Sequence, residues 1–224
     1  MKVIDPGFTV LTEISEDGME ELYAIVQAAR TCYRSEMKGG TPEEIADRAK
    51  KFVAGIIRRG HESVLEHGSI SVRIVCDRGV SHEIVRHRHC AFSQESTRYC
   101  NYGDGRFGGE LTFIRPHFFH RGNDLGVKLW IQAMQTAENA YLGMLKAGYT
   151  PQEARSVLPN SLRTEIVVTA NYREWRHLLR LRTAPDAHPQ MREIMIPILK
   201  DFQKRIPVLF DDITVADEKT SVPV

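Results

Sequence analysis

The chain has 224 residues, with 30 Lys and Arg against 29 Asp and Glu and 42% hydrophobic residues, an ordinary globular composition long enough for a substantial core. The formal net charge of +1 argues against a general nucleic-acid coat, which needs a basic excess. No apolar run approaches the roughly 20 residues of a membrane-spanning helix, and MKVIDPGFTVLTEI meets acidic residues too early for a secretory signal. Cys32, Cys76, Cys90 and Cys100 contain no CxxC pair, so reduced thiols in a cytoplasmic protein are expected.

Residues 17–31 read as a helix with Met19, Leu22, Ile25, Val26 and Ala29 on one face. Thr41-Pro42-Glu43-Glu44 is a capping-box start for a helix over 42–59, with Ile45, Ala49, Phe52, Val53, Ile56 and Ile57 as its stripe and Gly60 as its stop. HESVLEHG, 61–68, reads as a polar loop. Ile70, Val72, Ile74 and Cys76 alternate with Ser71 and Arg73, the pattern of a half-buried strand. Asp77 caps a short helix expected to reach about Arg88, and 89–102 reads as irregular. Leu111 to Arg115 is a strand candidate, and a long helix over 124–147 carries Leu125, Leu129, Ala133, Met134, Ala137, Tyr141, Met144 and Leu145. Thr150-Pro151-Gln152-Glu153 opens a short helix that stops at Pro159, and Ile166 to Ala170 is a strand candidate. A helix over 172–182 turns Trp175, Leu178 and Leu179 inward; the last helix, 188–206, is expected to kink at Pro197, and the tail after Asp211 to be loose. No repeat or linker stands out. The expected fold is α+β: a single domain over 1–224, with a small, mostly antiparallel sheet flanked by helices that include one long helix.

Near-neutrality conceals local asymmetry. Five of the nine histidines lie between His61 and His89, and arginines concentrate at Arg73–Arg98 and again at Arg173, Arg176, Arg180 and Arg182. Concentrated arginine in a neutral protein points to a defined anionic ligand, because the guanidinium fork matches phosphate and carboxylate oxygens. The segment RHRHCAFSQESTRY, 86–99, gathers three arginines, two histidines, three Ser and Thr hydroxyls and a carboxylate. On a helix Arg86 and Arg88 diverge and serve two anionic groups. Ser93, Ser96 and Thr97 add neutral donors suited to a phosphorylated small molecule.

The segment resembles the signature of the flavin-dependent thymidylate synthases. Arg86-His87-Arg88 is followed by seven residues, His89 to Glu95, then Ser96, with Arg98-Tyr99 after it. HESVLEH at 61–67, QEARSVLP at 152–159, TANYREW at 169–175 and LRLR with the later His188 resemble the family's other blocks in order, over about 20–205. The resemblance implies reductive methylation of dUMP to dTMP, with methylenetetrahydrofolate as carbon donor, NADPH-reduced FAD as hydride source and tetrahydrofolate as product. It implies dUMP held by Glu83, Ile84, Val85 and Arg86, by Gln94, Glu95, Ser96, Thr97 and Arg98, and by Arg155 and Arg182. Ser96 and Arg98 take the phosphate, and Arg182 acts catalytically against the uracil ring, favouring ionisation at N3. It implies FAD contacts from Ser63, Arg86, His87, Arg88, Gln94, Asn171, Arg173 and His177. His61 lies near the flavin, where folate or nicotinamide approaches. It further implies a homotetramer with shared active sites, and neither nucleic-acid nor membrane partners.

Several positions depart from the frequent form of the motif. Ala91 replaces a Ser, Ser93 an Asn and Gln94 a Glu; Glu83 stands where Gln is common and His177 where Asn is. A carboxylate at Glu83 or Glu95 would repel a phosphate, so each is expected to pair with an arginine. Ser96 also suits a nucleophile, but Arg98 nearby favours the phosphate role. Glu66 and His67 read as residues that hold their loop, and His82 and His89 as structural or solvent-facing. His87, His89, Cys90, Cys100, His117 and His120 show HxH and HxxH spacings that chance supplies in a histidine-rich chain, so no metal is expected. The competing function is a nucleotide- or nucleic-acid-binding module that uses the 73–98 cluster without catalysis.

Overall fold

The computed structural model describes residues 1–32, 34–37, 39–122 and 124–215, without the side chains of 120 and 121. The tail beyond 215 and the imidazole of His120 therefore lie outside the described residues. In chain order the elements are β1 (Lys2–Ile4), β2 (Gly7–Val10), α1 (Met19–Thr31), α2 (Pro42–Arg58), β3 (Ser69–Asp77), α3 (Arg78–Ile84), β4 (Ala91–Gln94), β5 (Thr112–Ile114), α4 (Asp124–Lys146), α5 (Pro151–Ala154), β6 (Arg163–Asn171), α6 (Tyr172–Arg182), α7 (Pro189–Arg205) and α8 (Pro207–Phe210). The α+β expectation holds. A four-stranded sheet has the order β2-β3-β6-β4, and β1 pairs with β5 in parallel, Val3 opposite Phe113.

The capping signals act as read. Thr41 and Glu44 form both halves of a capping box on α2, and Asp77 accepts from the Val80 amide at 2.7 Å to start α3. In β3, Ile70, Val72, Ile74 and Cys76 are all buried. Strand β6 begins earlier than expected because Thr164, buried like Ile166, Val168 and Ala170, takes the first inward position.

Other expectations are corrected. Helix α3 ends at Ile84 and not near Arg88, so Arg86, His87 and Arg88 lie beyond the helix; the apolar pattern that pays for burial stops at Ile84. Residues 62–67 form 3₁₀ turns rather than an open loop, pinned by Leu65, which is fully buried. Residues 91–94 form an edge strand within a stretch read as irregular. Strands β1 and β2 have three and four residues, too few to show a period. The last helix does lie where expected: α7 runs from Pro189 to Arg205 with Pro197 inside it.

The chain divides into two compact units: Met1–Thr9, Arg73–Arg88 and Phe92–Val167 form one, and Val10–Val72, His89–Ala91 and Val168 onward the other. In the first, Tyr102, Leu111, Phe113, Met134, Tyr141 and Leu162 form the core. Helix α4 contributes less than its stripe suggests: it buries Met134, Glu138 and Tyr141, while Leu125 and Leu129 are 67% and 57% exposed. In the second unit, Trp175 meets Phe202 edge-on at 5.2 Å, and its indole donates to the Ile70 carbonyl at 2.9 Å. That ties α6 to both α7 and β3.

Candidate active site

In the second unit, α6 and the 62–67 turn build the site together. Asn171 caps α6 by accepting from the Glu174 amide at 2.8 Å. With Trp175, Leu178 and Leu179 buried, Arg173, Arg176 and Arg180 fall along one side of the helix, three and four residues apart. The turn brings acids against them. Arg173 pairs with Glu66 at 2.6 Å, and Glu62 lies 4.0, 3.6 and 3.8 Å from Arg173, Arg176 and Arg180. Arg176, wholly buried, grips Asp212 with two bonds of 2.7 Å and donates to the Leu209 carbonyl, while Arg180 reaches Asp212 at 3.0 Å. Burial pushes the Asp212 carboxyl up, but the two guanidinium groups win and hold it below its ordinary value. The bond to Glu66 raises Arg173 in turn. Gly68 ends the turn and accepts the Tyr172 amide at 3.1 Å. A Cβ there would lie 2.1 Å from the Tyr172 ring, so only glycine lets α6 start so close.

Two cavities flank this turn. One, of about 530 Å³, is lined by Glu62, Glu66, His89, Asn171, Arg173, Glu174, His177 and Arg180. The other, about 470 Å³, is lined by Ala29, Cys32, Phe52, Ile56, Arg59, His61, Ser63 and Val64. The first offers imidazole, amide and guanidinium donors balanced by carboxylates. The second is more apolar, with one imidazole, one hydroxyl, one thiol and the Arg59 guanidinium among its lining groups, a setting suited to a flat ring. Cys90 is no nucleophile: burial first, then Glu174, pushes its thiol up to about 12.

The first unit holds residues 83–88 and 92–98. Ile84 is buried completely, so only its main chain can face a ligand; Glu83 is half-buried and Val85, Arg86 and Arg88 are exposed, while His87 is buried. Gln94 donates to Ser81 at 2.9 Å and Thr164 at 3.2 Å, which fixes the strand before the loop. Glu95 pairs with Arg163 and accepts from the Tyr102 hydroxyl at 2.6 Å, so the expected arginine partner of Glu95 is Arg163. Ser96 opens a turn, its carbonyl accepting from the Tyr99 and Cys100 amides and its hydroxyl from the Arg98 amide at 3.3 Å. Thr97 points inward and is buried; Arg98 is exposed, its guanidinium 5.4 Å from the Tyr99 ring. Arg155, exposed, opens the 3₁₀ turn after α5, and Arg182 is half-buried at the end of α6.

Of the residues expected at FAD, Asn171, Arg173 and His177 line one cavity and Ser63 lines the other with His61. Arg176 is a correction: read in sequence with the anion-binding arginines, it is an internal tie. Glu62, Glu174, Arg180 and His89 line the first cavity without having been singled out for it. The three-and-four spacing of 173, 176 and 180 was the signal available for Arg180; nothing local marks Asp212 as its partner.

The family model for thymidylate synthase complementing proteins matches residues 16–208. A flavin-dependent thymidylate synthase from Corynebacterium aurimucosum is 34% identical over 222 residues, covering 90% of this chain and 85% of that protein. Another, from Pyrococcus abyssi, is 34% identical over 186 residues, covering 82% and 75%. Among solved structures, a UMP/dUMP methylase from Streptomyces cacaoi bound with 5-Br UMP shares the fold at a TM-score of 0.75 and 22% identity, covering 94% of both chains. With the model matched over most of its length and relatives above 30% identity along most of theirs, the chain belongs to the family of flavin-dependent thymidylate synthases.

Proposed function

We propose that the protein converts dUMP to dTMP by reductive methylation, with methylenetetrahydrofolate as carbon donor, NADPH as reductant, FAD as cofactor and tetrahydrofolate as the folate product. The observation that carries this reading is the exposed Arg86, Arg88 and Arg98 on non-helical chain around the Ser96 turn, in a chain of this family. Ser96 and Arg98 receive the dUMP phosphate, and Arg155 adds a second cation. The main chain at 83–86, with Gln94 and Thr97, frames the nucleoside. Arg182 lies against the uracil and stabilises the N3 anion, which raises electron density at C5.

The donors around the 530 Å³ cavity fit the polar part of a flavin nucleotide: His177, Arg173 and the amide of Asn171 supply hydrogen bonds to phosphate and heterocycle edges. Arg173 exchanges Glu66 for the ligand. Ser63, Gln94, Arg86, His87 and Arg88 complete the set that would hold FAD, and His61 borders the place where folate or nicotinamide stacks. When bound, FAD supplies the hydride that turns the transferred carbon into a methyl group. The residues of the chain bind, orient and tune charge.

A cavity of this size takes part of a dinucleotide. Together with the exposed Leu125 and Leu129 of α4, this supports a homotetramer whose copies share each active site. Residues 1–224 act as one functional domain, a reading supported by a family match that spans 16–208. Among the described residues no helix is long and apolar enough to cross a membrane. The four cysteines are free, which supports a cytoplasmic setting. The net charge of +1 supports small-molecule rather than nucleic-acid ligands.

Purified protein is expected to be yellow, or to take up added FAD, with absorbance at about 450 nm. Colourless protein that ignores FAD and binds oligonucleotides in a salt-sensitive way would replace this reading with the non-catalytic binding module.

A further inference from the structure

Glu95 sits one residue before the turn assigned to the dUMP phosphate, where a free carboxylate would repel the ligand. The structure gives that carboxylate two partners, one on each oxygen. Arg163 pairs with Oε2, and the Tyr102 hydroxyl donates to Oε1 at 2.6 Å. The Glu95 side chain is 14% exposed, and Tyr102 is 8% exposed. Arg163 is itself oriented by a second carboxylate, Glu165, at 2.7 Å.

The backbone is fixed from the same place. The Glu95 amide donates to the Glu165 carbonyl at 2.8 Å, continuing the pairing of β4 with β6 by one residue. Gln94, pointing to the opposite face of the strand, holds Ser81 and Thr164. The chain is thus pinned on both faces immediately before Ser96. The Tyr102–Glu95 bond then closes a loop whose interior is Ser96, Thr97, Arg98 and Tyr99 to Asn101. Burial and the adjacent carboxylate both push the Tyr102 phenol upward, so it remains a donor across the working pH range.

We propose that Glu95 is a positioning residue for the phosphate of dUMP: held between Arg163 and Tyr102, it sets the Ser96–Arg98 turn in its receiving geometry and does not touch the nucleotide. This rests on the methylation reading above. It also gives the carboxylate of a phosphate-binding segment a purpose. Its charge is neutralised internally by Arg163, and Arg98 is left facing outward.

Two variants separate the parts of the device. Glu95→Gln keeps the shape and removes the charge; Tyr102→Phe opens the loop and leaves the charge. Both are assayed as FAD-saturated holoenzyme for dTMP formation, with deoxyuridine, which lacks the phosphate, as a competitive inhibitor. The expected KM for dUMP rises about 10-fold in Glu95→Gln and about 3-fold in Tyr102→Phe, while kcat and the inhibition constant of deoxyuridine stay within about 2-fold. If Glu95→Gln does not fold, Tyr102→Phe decides. Wild-type enzyme that forms no dTMP overturns the methylation reading. Wild-type turnover with unchanged KM in the variants, or with equal losses toward dUMP and deoxyuridine, overturns the positioning role alone.

Discussion

The two arginine-rich regions differ in what surrounds them. On α6, Arg173, Arg176 and Arg180 face Glu62, Glu66 and Asp212, and one of the three is buried outright. Around Ser96, Arg86, Arg88 and Arg98 lie on turns and are exposed. The contrast follows from local geometry. Helical spacing of three and four residues lines cations up so that a few acids on a neighbouring element can neutralise all of them. The RHR run does not continue α3: Val85 is exposed, the positions three and four after Ile84 are His87 and Arg88 rather than apolar residues, and its arginines project from turns instead. A count of charges treats both regions alike, whereas burial and pairing tie one into the fold and leave the other exposed.

Variants should separate along this line. The largest effect is expected for Arg182→Ala: dTMP formation falls about 100-fold or more while bound flavin is retained, because a cation next to the ionising ring is lost. Unchanged turnover would remove Arg182 from the chemistry. Arg98→Ala is next, with the KM for dUMP raised about 10- to 30-fold at nearly constant melting temperature, the signature of a lost charge-assisted phosphate contact.

Arg176→Met should do the reverse. Removing the cation leaves the Leu209 carbonyl without the Arg176 donor and the Asp212 carboxylate with Arg180 alone, at a cost of about 3 kcal/mol of stability by urea unfolding, with the KM for dUMP little changed in the folded fraction. A fully stable Arg176→Met that loses dUMP affinity would erase the distinction between the regions.

The smallest effect concerns acid. Asp212 has a folded-state value below its ordinary 3.8, so its contribution is complete above the unfolded value and is lost as pH falls through the lower folded one. Asp212→Asn should therefore flatten the decline of stability below about pH 4, measured by urea midpoints across that range. A decline as steep as in the wild type would assign the acid sensitivity elsewhere.

Much of the fold was legible because its signals are local. The capping box at Thr41, the Asp77 cap and the alternation from Ile70 to Cys76 each declare an element within a few residues. Short strands such as β1 were not, because their pairing with β5 lies more than a hundred residues away in sequence. The site divides in the same way. The Ser96 turn and the residues around it could be located from a contiguous motif. The partners that decide whether each charged side chain is available, Asp212 for Arg176 and Arg163 for Glu95, are set by long-range packing and leave no mark beside them.

The most direct test is to supply purified protein with FAD, NADPH, methylenetetrahydrofolate and dUMP and to identify both products. Formation of dTMP together with tetrahydrofolate is expected, because the hydride comes from the flavin and not from the folate. No dTMP, or dTMP accompanied by dihydrofolate, would contradict the assignment.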